Sequence, residues 1–341
     1  MPNSALPWYK KKPAMVLLAM LIVIFFFSLL VMIINYSFAG FFVLQPGPGN
    51  EMVARESSVN LPPAPEGDYK KGILLTNTMI AIGDDLFSNW LPNDKIWPTV
   101  LLDNPQNFQL GQLEMMRYIT RVMRDNLTKM ESNSPIDSNI DAAFTLLSND
   151  PFKWIMPSAE SRYKEATSNY RQYRDRLAAG EAMFDPREDN LKELLNQCAS
   201  LMGDINSRLA NAPNHQRYRI SREEVSPAPP EASSDKQSAE TKVSWSEIDN
   251  NFYYAQGVAY VLRQVMVAVR YEFTDILKNK NAIGQVDRII ESLNQSQFEP
   301  IMVLNGDTGS MMANHSLELH SILENARQKI IGLDKMIIPT R

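Results

Sequence analysis

Apolar residues recur at intervals of three and four along most of the chain after residue 72. One such stripe is Leu75, Met79, Ile82 and Leu86, and the stretches 116–130, 163–177 and 191–205 repeat the spacing. This spacing places the apolar side chains on one face of an α-helix. No stretch of useful length alternates between apolar and polar residues as a strand would. The pattern therefore predicts an all-α fold, an elongated multi-helix bundle of long antiparallel helices.

The most regular pattern predicts one long helix from 244 to about 278. Its apolar positions are Trp245, Ile248, Phe252, Ala255, Ala259, Leu262, Met266, Val269, Phe273 and Ile276. Steps that alternate strictly between three and four form a heptad seam. A second apolar face, which begins at Val258, predicts a position at the centre of the bundle. The seam alone does not decide between packing within the chain and packing between chains, but the matching stripes of neighbouring helices favour packing within it.

An uncharged apolar block precedes all of these helices. It runs for 21 residues from Ala14 to Ile34, which is about 31 Å of helix and matches the thickness of a hydrocarbon core. Three lysines stand at 10–12, and the next basic residue is Arg55. This asymmetry predicts a cytoplasmic tail at 1–13, a transmembrane helix at 14–35 and an external location for the remainder. A cleavable signal peptide is the alternative, but the block is longer than a usual signal-peptide core.

Two breaks divide the part of the chain beyond this block. Residues 36–71 are rich in proline and glycine, which predicts a stalk, and residues 212–243 contain almost no large apolar side chain, which predicts a disordered linker. The intervening stretches form two predicted helical blocks, 72–211 and 244–341. We expect the second block to pack with the first.

Charge and cysteine content narrow the function classes. Beyond residue 50 the chain carries 31 basic and 39 acidic residues, a net charge of −8. An acidic domain argues against a general binder of nucleic acid or of anionic lipid, since both need a basic surface, and it leaves a local basic patch open. The one cysteine, Cys198, cannot form an intramolecular disulfide, and its position on an apolar stripe predicts a small buried core residue.

Candidate chemistry is sparse. The run Asp307-Thr308-Gly309-Ser310 is similar to an aspartic-protease motif, but it occurs once among helices, and turn-forming residues around it predict a loop. His315 and Glu318 share a helix face, whereas His320 points elsewhere, so the i, i+4 histidine pair of zinc proteases is absent. We therefore predict no catalytic residues, no bound metal and no cofactor.

Several short sequences resemble those of one known family. They are Val100-Leu101-Leu102-Asp103-Asn104, Pro157-Ser158-Ala159-Glu160-Ser161, Asp249-Asn250-Asn251-Phe252-Tyr253, Lys278-Asn279-Lys280-Asn281-Ala282, Met302-Val303-Leu304-Asn305-Gly306 and Ala313-Asn314-His315-Ser316-Leu317. With them the chain resembles the proteobacterial domain-of-unknown-function family 2333, single-span inner-membrane proteins. The resemblance implies a Gram-negative inner membrane and a periplasmic domain, and it supplies no catalytic residues.

The leading functional hypothesis is a membrane-anchored periplasmic protein-interaction module, a scaffold or accessory subunit of an envelope assembly. Its expected partners are other envelope or inner-membrane proteins and, through residues 14–35, the lipid bilayer; a homo-oligomer is left open. The candidate interaction loop lies within 301–317, since turn formers and exposed methionines suit a functional surface loop. Its residues are Asn305, Gly306, Asp307, Met311, Met312, Asn314 and His315.

The alternative hypothesis is a hydrolase of an envelope polymer such as peptidoglycan, or the activator of one. Such an enzyme would need a glutamate in a cleft, and Glu114, Glu272 and Glu318 lie within apolar patterns. A buried glutamate with a raised pKa in an open cleft would favour this alternative. A third hypothesis is a sensor, whose partner would have to carry the output because the tail is so short.

Overall fold

The computed structural model describes residues 15–16, 19–27, 70–94, 103–129, 134–211, 245–298, 300 and 314–337. From residue 70 onward the described residues form nine α-helices. They are α1 Ile73–Ser88, α2 Asp103–Val122, α3 Ser138–Leu147, α4 Ala159–Ala179, α5 Glu188–Asn211, α6 Trp245–Glu272, α7 Thr274–Asn279, α8 Ile283–Gln295 and α9 His315–Ile337. One π-helical turn, Met123–Leu127, continues α2. The predicted all-α multi-helix bundle is confirmed.

The predicted membrane segment and both predicted breaks lie largely outside the described residues. Of 14–35, only 15–16 and 19–27 are described; they are helical, and their apolar side chains are exposed. Within the part of the chain that the structure describes, none of the helices combines the length and the apolarity that crossing a bilayer requires. The tail 1–13, the stalk up to residue 69 and the linker 212–243 are outside the described ranges.

Helices α2 and α6 share the most extensive contact between any two helices described. Their backbones approach closely because a glycine lies on each side of the crossing. A Cβ atom added to Gly111 would lie within 3 Å of the carbonyl group of Tyr254, and one added to Gly257 would lie as close to the carbonyl group of Phe108. These neighbours are backbone atoms, which cannot rotate away as a side chain can. Any larger residue at either position would therefore push the two helices apart.

The other helices pack on the two sides of this central pair. On one side α1 and α3 pack against α4, and α1 also contacts α6. On the other side α5 and α8 both pack against α9, while α5 contacts α2 and α8 contacts α6. The buried apolar side chains form one continuous cluster with members from both 72–211 and 244–337.

The heptad seam of α6 is buried within the chain's own core, as the matching stripes favoured. Its members from Ile248 to Val269 are almost fully shielded from solvent. The expected single helix to 278 is wrong at one point, because the helix breaks at Phe273, where φ is −105° and ψ is 22°. The hydroxyl of Thr274 donates to the carbonyls of Arg270 and Tyr271, both at 2.8 Å, so a side chain bonds to carbonyls at the end of the helix.

The tyrosines of α4 belong to the core and not to a binding platform. Tyr163, Tyr170 and Tyr173 have no solvent-exposed surface. The Tyr163 hydroxyl donates to the Asn149 carbonyl at 2.8 Å, and that of Tyr173 donates to the Met183 carbonyl at 2.7 Å. Burial of the Tyr163 and Tyr173 rings leaves no unsatisfied polar group, because each hydroxyl is hydrogen-bonded.

Helix α1 runs antiparallel to both α4 and α6, so its two ends can be used to name the two ends of the bundle. We call the end near Lys70 the proximal end. There the Lys70 ammonium contacts the carbonyl of Ala178, and α1 begins against Glu272. We call the opposite end, where Trp90 contacts Tyr163, the distal end. The 16 residues of α1 separate the two ends by about 24 Å.

Candidate functional site

The predicted interaction loop departs from the bundle at a firmly anchored point after α8. The side-chain amide of Gln256, on α6, donates to the carbonyls of Ser296 and Phe298 at 3.0 and 2.6 Å. The side-chain amide of Gln297 donates back to the Gln256 carbonyl at 3.2 Å. Gln256 and Ser296 are almost fully buried. This departure point is therefore fixed to the central helix.

The chain returns to the bundle beside the point where it left. Asn314 caps α9, since its side-chain oxygen accepts the backbone N–H of Leu317 at 3.0 Å. The next residue, His315, places its ring 6.5 Å from the ring of Phe298, which in turn lies 5.6 Å from the ring of Phe252. Fifteen residues, 299–313, therefore connect two adjacent points. Loops of this length whose ends lie close together are often functional sites.

The structure describes two of the seven predicted loop residues, Asn314 and His315. Both lie where the loop returns to the bundle: Asn314 caps α9, and the His315 ring contacts the Phe298 ring. The other five lie outside the described residues, as does the whole of the Asp307–Ser310 motif. They are Asn305, Gly306, Asp307, Met311 and Met312.

A second surface feature is a group of exposed apolar side chains that was not among the predicted sites. The segment 150–158, which joins α3 to α4 and which we call the apolar loop, exposes four consecutive or near-consecutive apolar side chains. Their exposed fractions are 48% for Phe152, 55% for Trp154, 73% for Ile155 and 93% for Met156. Single exposed apolar residues are ordinary, but a contiguous group marks an interaction surface. The signal was present in the sequence as Phe-Lys-Trp-Ile-Met bounded by prolines.

The backbone of the apolar loop is held at several points. The Trp90 indole N–H donates to the Pro151 carbonyl at 3.0 Å. The Asn93 side chain donates to the Lys153 carbonyl at 3.2 Å, and the backbone N–H of Ala159 donates to the same carbonyl at 2.9 Å. Trp90 and Asn93 are themselves buried at the distal end. The loop is therefore a fixed projection with its apolar side chains turned outward.

Glu272, one of the three glutamates of the hydrolase alternative, is a buried helix cap. One of its carboxylate oxygens accepts the backbone N–H groups of Leu74 and Leu75 at 2.9 and 3.1 Å, and the other accepts that of Gly72 at 2.7 Å. These donors belong to the first turn of α1, which would otherwise lack partners. A negative charge is also favourable at a helix N-terminus. Both oxygens are thus engaged in structure.

The other two glutamates are less buried than Glu272. Glu114 forms an ion pair with Arg117 at 3.1 Å, and Glu318 is exposed in the first turn of α9. His320 binds the Asn206 carbonyl through Nδ1 at 3.1 Å. Among the residues whose positions are described, no three His, Cys, Asp or Glu side chains are close enough together to bind a metal ion.

A shallow groove of about 550 Å³ lies beside His320, between α8 and α9. Its polar groups largely bind each other. Gln328 donates to Glu324 at 2.7 Å, and Gln285 donates to the carbonyl of Lys329 at 3.0 Å. The groove therefore offers few free groups to a ligand.

Comparison with known proteins gives a family but no characterised relative. The family model described as "Uncharacterized protein conserved in bacteria (DUF2333)" matches residues 10–339. No curated protein matches the chain, and no solved structure does.

Proposed function

We propose that this chain, which belongs to the DUF2333 family of bacterial proteins, is a membrane-anchored protein-interaction module of the bacterial envelope. In this proposal residues 14–35 cross the inner membrane, the tail 1–13 lies in the cytoplasm and the helical bundle lies in the periplasm. The bundle presents the loop within 301–317 to another envelope protein, as a scaffold or an accessory subunit.

The observation that carries the proposal is the anchoring of the loop's two ends. Phe298 and His315 meet at ring distance, and Gln256 fixes the departing chain to the central helix. A contact loop on a rigid base loses less conformational entropy when it binds than a freely attached segment would. Methionines at 311 and 312 suit such a surface, because the thioether side chain adapts to differently shaped partners.

The contacts of the three glutamates do not favour the hydrolase alternative. A general acid needs a carboxyl group that can reach a substrate and exchange its proton. Both oxygens of Glu272 instead accept backbone N–H groups, Glu114 is paired with Arg117, and Glu318 is exposed to solvent.

The test is site-specific photocrosslinking of the full-length chain in intact cells. We expect a crosslinker at Asn305 or at Met311 to capture the same envelope protein, identified by mass spectrometry. The matched control is Glu181, an exposed residue at the proximal end. Replacing His315 by alanine should weaken the capture without lowering the melting temperature by more than a few degrees. Equal capture from position 181, or no capture from either loop position, would refute the assignment of this loop.

A further inference from the structure

The apolar loop is the largest group of exposed apolar side chains beyond residue 70 in the described part of the chain. We propose that it is a second membrane contact: Trp154, Ile155 and Met156 enter the headgroup region of the same bilayer that holds residues 14–35. This inference rests on the proposed membrane anchor but not on the protein-binding loop. Its consequence is that the bundle rests with its distal end on the bilayer.

The shape of the apolar loop favours a bilayer over a protein pocket. Exposure rises along the loop, from 48% at Phe152 to 93% at Met156, so the group is convex and its most exposed member is almost entirely surrounded by solvent. A protein partner would need a cavity of matching shape, whereas the fluid boundary between headgroups and acyl chains admits any convex apolar projection. Trp154 suits that boundary, since amphipathic aromatic rings are enriched there.

One basic side chain lies within the apolar loop. Its lysine, Lys153, is exposed beside the apolar side chains and can extend toward lipid phosphates. Two acids flank the loop: Asp150 is exposed and accepts the backbone N–H of Phe152 at 3.0 Å, and Glu160 is half-buried and accepts an N–H of Asn93 at 2.6 Å. Each of these carboxylates has a hydrogen-bond partner in the chain, and Lys153 is the charged side chain that lies between the exposed Phe152 and Trp154.

The connection between the anchor and the bundle is long enough for this orientation. Thirty-five residues separate Ile34 from Lys70, which allows a reach of up to about 120 Å. The proximal and distal ends are about 24 Å apart along α1. Because the anchor keeps the loop close to the bilayer, even a weak insertion becomes favourable through its high effective concentration.

A single introduced cysteine can report the insertion directly. Cys198 has no exposed surface, and burial raises the pKa of its thiol to about 12, so it should resist labelling in the folded chain. The full-length protein with Met156→Cys is labelled with a polarity-sensitive fluorophore and reconstituted into vesicles of phosphatidylethanolamine and phosphatidylglycerol. The matched control carries Glu181→Cys, an exposed position at the proximal end.

The proposal predicts a blue-shifted probe at position 156 that is quenched roughly twofold by shallow nitroxide lipids, as expected for a group immersed about 5–10 Å. The probe at 181 should remain unquenched. Adding Trp154→Glu should abolish the quenching at 156 without unfolding the chain, because the Trp154 side chain is exposed.

Three results would overturn the proposal. The first is a probe at 156 that shows neither a blue shift nor quenching, and the second is equal quenching at 156 and 181. The third is a blue shift that rises with the ratio of protein to lipid but shows no quenching, because that result would assign the loop to contacts between copies of the chain. Alkaline extraction of the same vesicles tests the anchor separately, because a protein that spans the bilayer resists extraction. Failure of the anchor is therefore distinguishable from failure of the loop.

Discussion

The close crossing of α2 and α6 makes a sharp prediction for Gly257→Ala. The added methyl group would lie 2.9 Å from the carbonyl carbon of Phe108 and 3.0 Å from the backbone nitrogen of Gln112, with the Phe108 oxygen closer still. Normal separations exceed 3.4 Å, and no rotamer change can relieve a clash with backbone. The two helices must therefore move apart by about 1 Å, which loosens the dispersion contacts of the tightest interface in the bundle.

The size of the effect follows from two opposing terms. Overpacking of a filled core destabilises by about 1–3 kcal/mol, and a backbone clash belongs at the upper end of that range. Alanine recovers about 1 kcal/mol through its higher helix propensity. The expected net loss is about 2 kcal/mol, or a fall in melting temperature of roughly 4–8 °C for a domain of this size.

Thermal unfolding of the full-length protein in detergent, followed by circular dichroism at 222 nm, measures this loss. Gly284→Ala is the matched control, because Gly284 is an exposed helical glycine whose added Cβ would have no neighbour within 4 Å. It should leave the melting temperature unchanged or raise it slightly. Gly111→Ala should resemble Gly257→Ala, and the double variant should lose less than the sum, since both residues act at one crossing.

The reasoning would be refuted if Gly257→Ala melted at or above the temperature of the unchanged protein. It would also be refuted if Gly257→Ala and Gly284→Ala gave the same shift. In the second case the loss would come from glycine replacement in general and not from the contact between α2 and α6.

Two further predictions concern carboxylates. Glu272→Gln places an amide N–H₂ among three backbone N–H donors, so urea unfolding should show a loss of about 3 kcal/mol, whereas Glu318→Gln should be neutral; equal effects would contradict the assigned cap. Burial raises the pKa of Asp85 from 3.8 to about 6, so the folded state binds a proton more tightly than the unfolded state, and this residue's contribution to stability should fall as pH rises from about 4 to 6. Because Asp85 is partly exposed, the change should be on the order of 1 kcal/mol; Asp85→Asn should remove it and stabilise the protein at pH 7, and an unchanged pH profile would count against the shift.

Periodicity predicted the helices because burial on one face is a local property of sequence. The α6 seam and the position of Cys198 were both predicted from spacing alone, and both are buried in the core. The break at Phe273 was missed because the apolar pattern continues through it to Ile276. The Thr274 hydroxyl donates to carbonyls of the preceding turn at the break. The hydroxyls of Thr120 and Thr167 make the same kind of bond inside unbroken helices, so a threonine in the sequence does not mark a break.

The contacts that determine the sites depend on residues distant in sequence. Glu272 was a candidate catalytic residue because an acid in an apolar pattern suggests a functional pocket, but its partners lie about 200 positions earlier. Gly111 and Gly257 each look like ordinary helix-weakening residues until the crossing pairs them. The apolar loop could have been noticed in the sequence, but only the structure distinguishes an exposed apolar run from a buried one.

Because Glu272 caps α1, the first helix cannot reach its final set of contacts until most of the chain has been synthesised. The first turn of α1 is made early, and its carboxylate partner follows 200 residues later. At translation rates of about 5–20 residues per second, the delay is roughly 10–40 s. During that time the buried face of α1 has no α6 to pack against. During synthesis the N-terminal half of the bundle therefore lacks the contacts that the C-terminal half provides. A product that stopped before α6 would retain a first helix without its cap and with part of its apolar face uncovered.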